Sequence, residues 1–141
     1  MVFDIINLIL ATCSILFSVY VFLKNKLYSK SSVENAVYSN IATALTQLSA
    51  AASDYAVFKN DSGELAEQQR TNYFNAIASV LDAYNFACQQ YYSRILNSAS
   101  FANCYASKIE ALFEDPIYQT ELQKPNYYHY LHKYHQQNSN K

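Results

Sequence analysis

Apolar residues are distributed in two ways along this chain. From Ile5 to Leu23 they form a nearly unbroken run without a charge, in which Asn7 is the one strongly polar residue. At 1.5 Å per residue this run makes a helix of about 28 Å, close to the hydrocarbon thickness of a bilayer. Thr12, Ser14 and Ser18 fit such a helix, because their hydroxyls can bond back to its own carbonyls. A buried helix of a small domain would carry a polar stripe, and a cleaved signal peptide would need a basic start and a small-x-small site. The run has neither, so it predicts a permanent membrane anchor over residues 1–24. Lys24, Lys26 and Lys30 follow it, and no Lys or Arg precedes it. By the positive-inside rule the N-terminus then lies outside and everything after the run stays cytoplasmic.

Beyond a basic linker at 25–32 the pattern becomes periodic. Ser31 with Glu34 has capping-box spacing, which predicts a helix restarting there. Val37, Ile41, Ala44, Leu48, Ala51, Tyr55 and Phe58 recur at alternating steps of four and three, a single stripe along one helix face. Lys59-Asn-Asp-Ser-Gly63 is the strong turn signal, and Asp61 with Glu64 resembles the next cap. A second stripe follows at Phe74, Ile77, Leu81, Tyr84, Cys88, Tyr91 and Ile95. Two long stripes joined by a short polar turn predict an antiparallel helical hairpin, each helix covering the other.

Asn97-Ser-Ala-Ser100 interrupts the periodicity, and Phe101, Tyr105, Ile109 and Leu112 then form a shorter stripe. Asp115-Pro116 suits a cap and first helical position, and Lys124-Pro125 suits the opening of a last helix. In that helix Tyr127, Tyr130, Leu131 and Tyr134 stand at i, i+3, i+4 and i+7. The fold class expected is all-α: one transmembrane helix, a long hairpin, and shorter C-terminal helices packed as a small bundle. The helical domain covers 33–135, and residues 136–141 form a polar tail.

Composition narrows the chemistry. One Gly among 141 residues leaves no glycine-rich phosphate loop, dinucleotide fingerprint or nucleophile elbow. A net charge of -1 lacks the basic footprint of a nucleic-acid binder. Cys13, Cys88 and Cys104 are isolated, as small packing residues of a reducing compartment are. His129, His132 and His135 are the one cluster of potential ligands, on the face opposite the C-terminal apolar stripe. They have no Asp, Glu or Cys among them to complete a metal site, so a solvated polar face is the stronger expectation. Asp82, Glu110, Glu114 and Asp115 are the acid–base candidates, and none belongs to a catalytic signature. Neither an enzyme, a cofactor nor a small-molecule substrate is therefore expected. The 14 Tyr, with no Trp, suit packing or contact surfaces with a polar rim. Tyr127, Tyr130, Leu131 and Tyr134 are the candidate interface, with intramolecular packing as the competing role.

The run Leu81-Asp-Ala-Tyr-Asn-Phe-Ala-Cys-Gln-Gln-Tyr-Tyr, followed by Lys108-Ile-Glu-Ala-Leu-Phe-Glu-Asp-Pro116 and a Tyr-rich end, resembles small uncharacterised bacterial single-pass membrane proteins of mobile or prophage-like regions. The likeness rests on Asn85, Cys88, Tyr91, Ile109, Leu112 and the Asp115-Pro116 break, and departs from the pattern at Asn97-Ser-Ala-Ser100. It implies a helical cytoplasmic domain at the cell inner membrane, and no active site. The function expected is that of a non-enzymatic, membrane-anchored interaction or scaffold protein, with the lipid bilayer and a protein partner or further copies of itself as partners. The alternative is a membrane-perturbing effector of a toxin or phage-defence system that oligomerises through its helices.

Overall fold

The computed structural model describes residues 2–124 and 126–139, with side chains from residue 12 onward. The described residues form five helices and no strand: α1 Val2–Phe58, α2 Glu64–Tyr92, α3 Ser98–Glu114, α4 Pro116–Leu122 and α5 His129–Asn138.

α1 runs through the position where a second helix was expected to begin. No Gly or Pro stands between Val2 and Phe58, so nothing breaks the backbone ladder. Ser31 and Glu34 are interior residues of one rod, not a capping box. The rod has two halves. From Val37 onward its stripe packs into the core: Val37, Ile41 and Ala44 are buried, and Leu48 lies against them. Before Val33 every described residue is exposed, including Ile15, Leu16, Phe17, Val19, Phe22 and Leu23. We call residues 12–30 the arm.

The expected membrane anchor is overturned, because no helix among the described residues is long and apolar enough to cross a membrane. Ile5 lies among residues whose side chains are outside the description. The helix that holds the run continues into Lys24, Lys26 and Lys30. The single-pass inner-membrane placement and the topology drawn from those lysines fall together.

The hairpin forms as expected, α2 returning along α1. Its stripe supplies the centre of the core: Ile77, Val80, Leu81, Tyr84, Ala87 and Cys88 are buried, while Phe74 is exposed. The cap of α2 differs from the expectation. Gly63, not Asp61, is the N-cap, and no side chain bonds to the first turn. Asn97 caps α3, its Oδ1 accepting from the N–H groups of Ala99 (2.9 Å) and Ser100 (3.3 Å). Asp115 caps α4, accepting from Ile117 N–H at 2.9 Å with Pro116 next in line. α3 and α4 lay Phe101, Ile109, Leu112, Tyr118 and Leu122 against α2, and α5 closes the bundle with Leu131 and Tyr134.

α5 opens later than the Lys124-Pro125 signal suggests. Pro125 lies outside the described residues, and the helix starts at His129 after two residues with left-handed backbone, Asn126 (φ 69°) and Tyr128 (φ 54°). A bulky residue in that region is strained at a cost of about 1–2 kcal/mol. Tyr128 is held there by burial of its ring and by its hydroxyl, which donates to Glu121 at 3.0 Å.

Candidate functional site

Two regions combine chemistry-bearing side chains with defined geometry: the docking site of α5, and the notch where the arm leaves the bundle.

α5 has no cap of its own. Its N-cap residue, Tyr128, makes no side-chain capping bond. The cap comes from α2: Asn85 Oδ1 accepts from the N–H groups of Tyr130 (3.0 Å) and Leu131 (3.1 Å), satisfying two of the free donors at a helix start. Around this junction Glu121 accepts from Tyr128 and pairs with Lys124 at 2.6 Å. Burial, then the Glu121 contact, raises the Tyr128 pKa above the usual phenol range. Partial burial raises the Asp82 carboxyl, and the negative charge of Glu121 adds to this. Asp82 lines an open groove of about 370 Å3 with Asn40, Thr43, Gln47 and Ser79.

The candidate tyrosines divide between core and surface. Leu131 and Tyr134 are buried, and Tyr134 meets Tyr91 and Phe101 edge-on at 5.4 and 5.2 Å. Tyr130 is half-buried beside Tyr92. Tyr127 is exposed, and it precedes α5 instead of sharing its face. Three of the four residues therefore pack inside the fold, because α5 turns its apolar face onto α2 and α3.

The histidines are also divided. His135 stacks on Phe113 at 3.8 Å, and His132 meets the same ring edge-on at 5.3 Å. The Nε2 of His132 lies 3.0 Å from the Leu122 carbonyl. Both are half-buried, contrary to the solvated face expected for them, because Phe113 of α3 lies under that side of α5. His129 is exposed beside Tyr130. Among the described residues no group of three His, Cys, Asp or Glu side chains gathers where it could hold a metal ion. Cys88 is buried and its thiol is pushed up to about 12 by that burial, whereas Cys13 and Cys104 are exposed.

The notch lies beyond the end of α2. The Val37 stripe, followed backward at 100° per residue, passes through Val33, Lys30, Lys26, Leu23, Val19 and Ile15. α2 covers this seam only as far as its own C-terminus at Tyr92. Past that point Lys26, Lys30, Phe22, Arg94 and Ile95 line an open groove of about 560 Å3. Arg94 is another left-handed residue (φ 59°), in the turn that ends α2. The described contacts include no ion pair for Lys26, Lys30 or Arg94, and no carboxylate lines the groove.

Sequence reasoning singled out Lys26 and Lys30 as topology markers and missed their meeting with Arg94. Only the hairpin geometry brings residues 26 and 94 together. It also missed Asn85 as a cap, which borders the α2 stripe without any local signal of that role. Comparison with protein-family models, with curated proteins and with solved structures finds no match to this chain.

Proposed function

We propose that this protein is a non-enzymatic helical interaction module that works by association with another protein or with itself. The observation carrying this reading is the arm: its seam continues the one that packs against α2, and Ile15, Val19 and Leu23 on it are exposed, as is Phe22 beside it. Exposed apolar residues in a continuous row mark binding surfaces, whereas isolated ones are ordinary. The bundle behind the arm is well satisfied, with no buried side-chain polar atom among the described residues lacking a hydrogen bond. It suits a rigid platform that presents the arm.

The test uses the full chain and an Ile15→Glu/Val19→Glu variant, compared by light-scattering mass and by crosslinking in cell extract. The expected result is association of the wild type, with itself or with a discrete protein, that the variant loses at unchanged helical content. A wild type that stays monomeric and crosslinks to nothing overturns the proposal, as does binding that the variant retains.

A further inference from the structure

We infer that the notch at the base of the arm receives an acidic amphipathic helix of a partner protein, lying on the arm where α2 would lie if it were longer. This rests on the proposal that the arm is a docking element and names what docks.

Three observations converge. The first is geometric: the arm's seam residues are in phase with Val37, Ile41 and Ala44, which already hold a helix in the groove they form with their neighbours. A second helix can therefore follow the same track, end to end with α2. The second is chemical. The seam is apolar at Ile15, Val19 and Leu23, flanked by Phe22, and then cationic at Lys26 and Lys30, which stand one helical turn apart. Arg94 adds a third cation from the α2–α3 turn, and its planar fork is suited to a carboxylate. The matching helix has aliphatic residues at i, i+3, i+4 and i+7 along one end of its buried face and Asp or Glu four residues apart at the other. The third weighs against a second copy of residues 12–30 as the occupant. Residues 12–30 contain no Asp or Glu. Parallel pairing would set Lys26 and Lys30 against themselves, and antiparallel pairing would set them against Thr12–Leu16.

The test is fluorescence anisotropy with the full chain and two designed helical peptides of about 20 residues. Both carry the same Leu/Ile face, with Glu in one and Lys in the other at the positions opposite Lys26, Lys30 and Arg94. The Glu peptide is expected to bind at least about tenfold more tightly, and more weakly as salt rises. A Lys26→Glu/Lys30→Glu variant is expected to reverse that preference, a result that misfolding cannot produce. Equal binding of the two peptides overturns the inference. So does capture of phosphatidylglycerol vesicles with neither peptide bound. Failure of both peptides on a chain that still associates through Ile15 and Val19 overturns the inference alone and leaves the proposed function standing. Failure of every association removes both.

Discussion

Asn85 is the side chain on which the C-terminal part of the fold turns. It satisfies two backbone donors of a helix 45 residues away, in the place where a local cap would stand. Asn85→Ala leaves those N–H groups half-buried without a partner, at a cost of about 1–2 kcal/mol. We expect a lower urea midpoint and faster amide exchange throughout α5, with α1 and α2 little changed. An unchanged midpoint would mean that water replaces the cap at no cost. The surroundings favour a measurable loss, because Leu131, whose N–H is one of the two donors, has its side chain fully buried.

Among the elements, α2 and the half of α1 that packs against it were the most legible in the sequence, since a stripe of period near 3.5 over twenty residues has few other solutions. The cap at Asp115 was legible for a different reason, since it acts within two residues of itself, whereas Asn97 was read only as a break in the periodicity. What was lost depended on distance or on competition. Ser31 and Glu34 have cap spacing, yet a helix already running through them satisfies every backbone group without a cap. The start of α5 is set by Asn85 and by the strained Tyr128, neither of which a local pattern reveals. The apolar run from Ile5 reads as a span when counted as composition, while no helix among the described residues is long and apolar enough to cross a membrane. The candidate site was legible only in part, as Lys26 and Lys30 without their neighbours. The α1–α2 turn offers an improvement at this scale. Gly63 is an N-cap in extended conformation (φ -81°), where an added Cβ meets nothing within 4 Å. Gly63→Ser adds a capping oxygen and restricts the unfolded chain, so a gain of about 0.5–1 kcal/mol is expected by denaturant titration. A loss would show that the turn uses the freedom of glycine.

For the molecule as a whole, the buried phenols and the buried thiol set an alkaline limit. Burial pushes Tyr84 and Tyr92 up to about 12 from 10.0, and Cys88 up to about 12 from 9.0. Each binds its proton more tightly in the fold than in the unfolded chain. The stability this confers is complete below about pH 9 and is lost as pH climbs toward 12. A pH series of thermal unfolding followed by circular dichroism should be level through neutrality and fall steeply above pH 10, with late tyrosinate absorbance appearing together with unfolding. Titration of all 14 Tyr near pH 10 with helicity intact would contradict the aromatic core described above.

α1 has no joint between the arm and the half that holds α2. A push or a twist applied near Thr12 cannot be absorbed by bending at Ser31, and arrives at Val37 and Ile41 as a strain on the hairpin itself. Whatever grips the projecting end therefore holds a lever, and the turn at Gly63, at the other end of the same rod, should register that grip without being touched.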